Sequence, residues 1–176
     1  MNRILSDDNL TLRPVEPADA DFMWAVESDS LQWIQNSLVA PFSRENLHQY
    51  ACNYEADPYL AEQLRLIIVD QSGKRMGIAD LYELSSQHHT SWVGIYILPE
   101  FRRVGIALNA LRLLEGYALK ILNLRQIGAK IVEGNDISMQ LFMKAGFEWN
   151  GTLKNWIQSG KDTFSLHILQ KELLSL

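Results

Sequence analysis

The sequence predicts an α+β fold in which helices cover both faces of a mostly antiparallel sheet. Residues 64–70, 75–84 and 91–98 form three apolar runs joined by short polar turns, a pattern typical of an antiparallel meander. A strongly periodic apolar helix follows Gly105, and another strand is predicted at residues 127–132. Because a helical crossover joins them, the strands on either side of that helix should lie parallel.

The elements before the meander are a strand and two helices. Residues 10–13 alternate apolar and polar side chains, which predicts a first strand. Residues 16–26 predict a helix, since proline and acidic residues favour a first helical turn. Residues 33–42 have no clear pattern, and Ser43 then looks like the cap of a second helix that runs to about Tyr54.

The elements after Gly105 complete the fold. Gly134 follows the strand at residues 127–132 and comes before a short helix at residues 138–144. Gly146 is placed as the C-terminal glycine of that helix. A terminal hairpin is predicted from residues 151–158 and 163–169. The buried face of the long helix repeats at three- and four-residue spacing and consists of Leu108, Leu111, Leu114, Ala118 and Ile121.

Composition limits the possible partners. The 176 residues suit one domain, residues 1–176, and 47% apolar residues are enough for a core. A net charge of −5 and the lack of any basic cluster longer than Arg102-Arg103 argue against nucleic acid. Cys52 is the single cysteine and cannot form an internal disulfide. With no membrane-length apolar run and no signal core, we expect a cytoplasmic protein without a membrane partner.

The segment between the third meander strand and the long helix is the strongest candidate for a binding site. Amides at a helix start lack intrahelical partners, and the helix dipole adds positive potential there. The segment therefore suits a phosphate or diphosphate. Gly105 allows close approach of the main chain, and Arg102 and Arg103 add charge.

Three segments of this chain resemble the GCN5-related N-acetyltransferases, the GNAT family. Arg102-x-x-Gly105-x-Ala107 matches the pattern [QR]-x-x-G-x-[GA], which holds the diphosphate of coenzyme A in that family. Residues 10–14 and the acidic helix after them look like the usual opening, and residues 135–147 resemble the family's asparagine-led helix ending in Gly-Phe. The resemblance spans nearly the whole chain and is closest to the spermidine, ribosomal-protein and amino-sugar acetyltransferases.

The resemblance implies that strands splay around an acyl-coenzyme A cleft and that acetyl-coenzyme A is the co-substrate. The acceptor would be a small-molecule or peptide amine, and a homo-oligomer is possible. The end of the strand at residues 95–98 is similar to the bulged strand that pairs with the pantetheine amides. The implied cofactor-binding residues are Ile97, Leu98, Arg102, Arg103, Val104, Gly105, Ile106, Ala107, Leu108, Asn135 and Phe142.

Three positions depart from the family pattern. Arg103 stands where glycine is common, and Leu108 replaces a serine or threonine. Phe142 matches the tyrosine that commonly protonates the leaving thiolate, and phenylalanine has no proton to give. A positioned acid contributes roughly 10²–10⁴ in rate, so its loss slows transfer without abolishing it. The alternative function is a regulatory module that binds acyl-coenzyme A without transferring the acyl group.

An alkyl ammonium cannot attack a thioester until a base or a dry site removes its proton. Asp80 and Glu83 are the candidate bases, with Glu83 preferred and acting through water. Alternate residues of a regular strand face opposite sides, so only one of them should face the cleft unless a bulge intervenes. Both could instead be ordinary solvated carboxylates.

The acceptor pocket is the least determined part of the prediction. Trp33, Phe42 and Tyr82 are predicted to line it, although ordinary core aromatics would give the same pattern. Polyamines, protein N-termini, amino sugars and aminoglycosides all remain open as acceptors. Residues 35–40 carry no carboxylate, which weakens the polyamine alternative. His88 and His89 lie in a polar turn without further ligands nearby in sequence, so no metal site is predicted.

Overall fold

The computed structural model describes residues 3–28 and 41–174, and these contain a seven-stranded sheet with helices on both faces. The predicted fold class is therefore confirmed. Neighbouring strands pair antiparallel except β4 and β5, which are parallel as predicted. The sheet order is β1-β2-β3-β4-β5-β7-β6. The strands are β1 (Leu10–Pro14), β2 (Gln63–Asp70), β3 (Arg75–Ser85), β4 (Thr90–Ile97), β5 (Gln126–Val132), β6 (Glu148–Ser159) and β7 (Asp162–Glu172).

Two of the described α-helices begin at side-chain caps that the sequence supplies. Ser43 Oγ accepts from the Asn46 amide at 3.0 Å, and Asn135 Oδ1 accepts from the Ser138 amide at 3.2 Å. The first predicted helix is a short 3₁₀ turn, Pro17–Asp19, followed by an α-helix. No helix in the described part of the chain is long and apolar enough to cross a membrane. The helices are α1 (Ala20–Glu27), α2 (Arg44–Cys52), α3 (Ile106–Lys120) and α4 (Asp136–Lys144).

Alternating side chains of the central strands build a core on each face of the sheet. Leu66 and Ile68 of β2 point to the same side as α3 and pack in a cluster with its buried residue Leu111. Their neighbours Ile67 and Val69 belong to the other cluster, which α1 and α2 cover. Since both faces of β2 are buried, its sequence is a continuous apolar run rather than an alternating one.

The sheet opens between β4 and β5. These strands pair only over residues 90–92 and 126–128, where the last pair is Trp92 with Gly128. Beyond it, β4 stays paired with β3 as far as Ile97, and β5 stays paired with β7 as far as Val132. A gap between the two strands is therefore a built feature of the sheet, because each strand keeps its other neighbour.

A bulge lies in β3 rather than in β4. Tyr82 pairs with Trp92 and Ser85 with Thr90, so β3 carries one residue more than β4 in this stretch. Glu83 lies in the bulge with φ of 51°, an uncommon value for a residue other than glycine. The expectation of a bulge near residues 95–98 was wrong, since β4 pairs residue by residue with β3 from Trp92 to its end.

A buried carboxylate joins β1, β3 and the turn before α1. Asp19 has no exposed surface. It accepts hydrogen bonds from Arg13 at 2.7 and 2.8 Å, from Arg75 Nε at 2.6 Å and from the Glu16 amide at 2.8 Å. Burial alone would raise the pKa of Asp19, but these donors outweigh burial and lower it to about 2.

Replacing Asp19 should therefore make folding less stable, and the loss should depend on pH. A carboxyl whose pKa is about 2 in the folded chain and 3.8 otherwise stabilises the fold above pH 3.8. That stabilisation, about 2 kcal/mol, disappears as the pH falls through 2. Urea unfolding of Asp19→Asn should show a loss of this size at neutral pH that shrinks toward pH 2.

The matched control is Asp21→Asn in α1. The Asp21 side chain is 84% exposed and reaches Arg44 only at 3.9 Å. Exposed pairs of this kind contribute little, so the control should unfold like the wild type. A loss for Asp19→Asn that stays constant between neutral pH and pH 2 would contradict the assignment.

Candidate active site

A cleft of about 640 Å³ lies where β4 and β5 separate, beneath α2 and α4. Its walls combine apolar side chains with charged and aromatic ones, as in small-molecule sites. Val93, Gly94 and Ile95 come from one strand, and Ile131 and Val132 come from the other. The remaining lining residues include Glu27, Phe42, Asn46, Tyr50, Arg65, Asp80, Tyr82, Glu83, Lys130, Asn135, Ser138, Phe142 and Leu166.

Arg65 holds two carboxylates at the bottom of this cleft. Its Nε and Nη2 donate to the two oxygens of Asp80 at 2.9 and 2.7 Å, and its Nη1 donates to Glu27 at 2.9 Å. Burial opposes the charge of Arg65, but the Asp80 and Glu27 carboxylates outweigh burial and raise the pKa of the guanidinium. The guanidinium thus joins a carboxylate of β3 to one of α1.

Glu83 lies at the rim of the cleft and forms an ion pair. Its Oε1 accepts from Lys130 Nζ at 2.8 Å, and its side chain is 61% exposed. The bulge in β3 brings Glu83 into the lining beside Asp80, three residues away. Both candidate bases therefore face the cleft. In a regular strand only one of them could do so, and the bulge makes the difference.

Tyrosines form much of the cleft's aromatic surface. Burial, and then the Glu83 and Asp80 carboxylates, raise the pKa of Tyr82. Burial also raises the pKa of Tyr50, whose ring lies 5.9 Å from the Arg65 guanidinium carbon. Tyr54 donates to the main-chain carbonyl of Arg65 at 2.8 Å and so fixes the strand that carries it. The raised pKa values keep the Tyr50 and Tyr82 hydroxyls neutral near pH 7, so both can donate hydrogen bonds within the cleft.

The loop between β4 and α3 offers a run of unused amides. A 3₁₀ turn, Pro99–Phe101, leads into it, and α3 starts at Ile106 after Gly105 with φ of 88°. Within the described residues, the amides of residues 103–108 donate no hydrogen bond of good geometry to another main-chain group. A Cβ built on Gly105 would meet nothing within 4 Å, so the main chain is open to a ligand. Free amides at a helix start are a site for anions.

Two groups near this loop already have partners within the protein. Arg102 Nε donates to the Ile97 carbonyl at 2.8 Å, and the guanidinium lies 5.5 Å from the Tyr96 ring. The Leu98 amide donates to the Met76 carbonyl at 2.9 Å. Arg102 therefore connects the loop to the end of β4, and the unused donors begin at Arg103.

Asn135 and Phe142 reach the cleft from opposite ends of α4. Asn135 uses its Oδ1 as the helix cap, which leaves its side-chain amide group directed elsewhere. Phe142 is 4% exposed, and its ring packs edge-to-face against Phe147 with centroids 5.0 Å apart. Phe142 thus fills the cleft wall with apolar surface and carries no exchangeable proton.

The structure divides the predicted site residues into two neighbouring groups. Six lie in the cleft lining, while those from the end of β4 and the loop lie outside it. Trp33 falls outside the described residues. Sequence reasoning did not identify Arg65, Lys130, Glu27 and Tyr50, because each is placed by cross-strand or helix–sheet pairing. The cleft group is Phe42, Asp80, Tyr82, Glu83, Asn135 and Phe142, and the second group is Ile97, Leu98 and residues 102–108.

Comparison with known proteins identifies this arrangement. The family model described as an acetyltransferase (GNAT) domain matches residues 9–148. The spermidine N(1)-acetyltransferase of Escherichia coli (strain K12) is 24% identical over 152 residues, which are 84% of this chain and 77% of that protein.

Solved structures share the fold. The spermidine N-acetyltransferase from Vibrio cholerae in complex with CoA and spermine has a TM-score of 0.85 at 21% identity, covering 95% of this chain and 97% of that one. A dodecameric structure of spermidine N-acetyltransferase from Vibrio cholerae has a TM-score of 0.78 at 20% identity, with 95% of each chain covered.

The loop amides lead to a prediction about Gly105. An alanine there adds a methyl group on the surface that a diphosphate would cover, so coenzyme A should bind at least about tenfold more weakly. Gly73→Ala is the control, because Gly73 has φ of 84° and equally open surroundings in the β2–β3 turn. Both variants should lose roughly 1–2 kcal/mol of stability from the left-handed backbone. Calorimetry that finds equal coenzyme A affinity in the two variants would remove the loop from the site.

Proposed function

The chain belongs to the GNAT acetyltransferase family, and we propose that it acetylates a small primary amine, which enters the cleft as an ammonium ion. Its co-substrate is acetyl-coenzyme A, and the acetyl group is transferred to the amine nitrogen. The observation that carries the proposed acceptor is the charge of the cleft. Among the described residues that line the cleft, the three carboxylates of Glu27, Asp80 and Glu83 outnumber the two cations, Arg65 and Lys130, so an ammonium ion is attracted before it is deprotonated.

The proposed path of the co-substrate follows the unused main-chain groups. The amides of residues 103–108 would hold the diphosphate, with the Arg103 side chain near it. The pantetheine arm would run along the free edge of β4 beyond Trp92, where no strand competes for its hydrogen bonds. Asn135 would donate its side-chain amide to the arm. The thioester then lies between Ile95 and Ile131, at the gap between the strands.

The ammonium nitrogen loses two protons in the transfer, one to the base before it attacks and one from the tetrahedral intermediate, and the departing sulfur can take up one. The free amine attacks the thioester carbonyl, the C–N bond forms, and the C–S bond breaks to release the thiolate. Glu83 is the better placed base, since Lys130 contacts only one of its oxygens whereas Arg65 holds both oxygens of Asp80. Asp80 would then act through its fixed negative charge. With Phe142 in the cleft wall, the thiolate leaves unprotonated or takes its proton from water, which a thiol pKa near ~8.5 allows.

Two classes of amine are candidates for the acceptor. The Escherichia coli relative is a spermidine acetyltransferase, which supports a polyamine as one candidate. Peptide amines stay a second candidate, because the rim of the cleft near Glu83 is exposed. Trp33, Phe42 and Tyr82 are proposed to contact the carbon chain of the acceptor. The alternative of a module that only binds acyl-coenzyme A is not favoured by the family assignment.

The proposed oligomeric state and cellular location rest on other observations than the cleft. A dodecameric form of the Vibrio cholerae protein supports a homo-oligomer here. Trp149 and Trp156 of the edge strand β6 are 54% and 64% exposed, which gives the chain apolar surface for such contacts. The cytoplasm remains the proposed location, and Cys52 is an exposed free thiol.

A thiol-release assay with acetyl-coenzyme A tests the function. The amines should include spermidine, spermine, simple alkylamines, an amino sugar and a peptide with a free N-terminus. At least one small amine should release coenzyme A, and mass spectrometry should find its monoacetylated product. The rate should rise with pH, because only the unprotonated amine attacks.

The matched variants are Glu83→Gln and Glu100→Gln. Glu83→Gln removes the proposed base and should lower kcat by about 10²-fold or more with the best amine. Glu100 lies in the turn before the loop and outside the cleft, so its replacement should leave kcat unchanged. Tight coenzyme A binding without thiol release from any amine would contradict transfer. Equal kcat in the two variants would contradict Glu83 alone.

A further inference from the structure

The rim of the cleft contains a cation site that the chain fills with its own side chain. Lys130 Nζ lies 2.8 Å from Glu83 Oε1, 4.5 Å from the centre of the Trp92 ring and 5.5 Å from the centre of the Tyr82 ring. One carboxylate and two aromatic faces around a nitrogen are the chemistry that recognises an ammonium ion. The Lys130 side chain is 29% exposed, so the site opens to solvent at the mouth of the cleft.

Two of the three walls of this site, Glu83 and Trp92, depend on an unusual backbone feature. Glu83 reaches it through the β3 bulge, with φ of 51°. Trp92 reaches it because its partner across the strands is Gly128. A Cβ built there would lie 2.5 Å from the Trp92 ring, so any side chain at 128 would push the ring away. A strained residue and a required glycine around one point are typical of a site with a function rather than of ordinary packing.

Tyr82 completes the arrangement from the middle strand. It pairs with Trp92 across β3 and β4, and the two side chains lie in one row on the cleft face of the sheet. That row continues to Gly128 of β5, two residues before Lys130 on the same face. The three strands therefore present the site as a unit next to the proposed acceptor position.

We propose that Lys130 is a specificity-determining residue, which fills a preformed ammonium site and thereby disfavours acceptors that carry a second ammonium group. This inference rests on the proposed function, since it concerns the far end of the acceptor. A monoamine needs only the inner part of the cleft beside Asp80, where Glu83 would act on its nitrogen through a water molecule. A diamine must place its second charge at the rim, where Lys130 already neutralises Glu83 and covers both rings.

The experiment measures amine binding rather than turnover. Calorimetry in the presence of saturating coenzyme A compares α,ω-diamines of increasing length with monoamines of the same lengths. In Lys130→Ala the rim site is vacant. At the chain length that reaches from the inner part of the cleft to the rim, the ratio of diamine affinity to monoamine affinity should therefore be about tenfold higher than in the wild type. Lys130→Arg retains the cation and should show the wild-type preference.

The double variant Lys130→Ala with Glu83→Gln tests whether the gain comes from this site. It lacks the carboxylate, so the gained preference should be lost although the lysine is still absent. Coenzyme A affinity reports on folding for every variant. Should the alanine variant fail that check, Lys130→Gln removes the charge with less change in packing and should give a gain of the same sign.

The outcomes separate this inference from the proposed function. The inference would be overturned if Lys130→Ala had the wild-type preference for diamines at every chain length. It would also be overturned if the double variant gained as much diamine preference as Lys130→Ala. Thiol release that proceeds normally in that case would leave the proposed function standing. A gain in diamine binding without any thiol release would support the cation site and count against acetyl transfer.

Discussion

The early separation of β4 from β5 is the constraint on which the site depends. The two strands share hydrogen bonds over only three pairs of residues and then diverge, while each keeps its outer neighbour. Among the described residues, the divergence leaves one edge of β4 without a strand partner beyond Trp92 and opens a cleft through the sheet. The loop before α3 follows directly on β4, the strand whose Val93, Gly94 and Ile95 line the cleft.

Each carboxylate that lines the described part of the cleft is paired with a cation. Asp80 and Glu27 share Arg65, and Glu83 has Lys130. Burying a lone carboxylate is costly, so these pairings are what allow acidic groups in a partly closed site. Acidic groups still outnumber cations three to two among the described lining residues, and none of them is an isolated buried charge.

The sequence predicts the parts of this fold that depend on local pattern. The alternation and length of the strands, the caps at Ser43 and Asn135, and the glycine before α3 each have a signal within a few residues. The position of the loop motif between β4 and α3 is also predictable, because the strand end before it and the helix start after it are recognisable in the sequence. The family pattern then supplies the fold as a whole.

The cleft is less predictable because its geometry depends on cross-strand register. Nothing in the sequence around Glu83 indicates a left-handed backbone, so the bulge that turns Glu83 and Asp80 to the same side has no local signal. Arg65 and Lys130 are ordinary strand cations in the sequence. Their roles arise only when β2 lies beside β3 and when Lys130 reaches across to Trp92 and Tyr82.

Hydrogen exchange of the loop amides tests the central claim most directly. In the part of the chain that the structure describes, the main-chain N–H groups of residues 103–108 donate no hydrogen bond of good geometry to another main-chain group, so in the free protein they should exchange quickly. Saturating coenzyme A should slow their exchange at least about tenfold, whereas pantetheine, which lacks the diphosphate, should leave it unchanged. Exchange in this loop that stays fast with coenzyme A bound, while another surface becomes protected, would contradict the account.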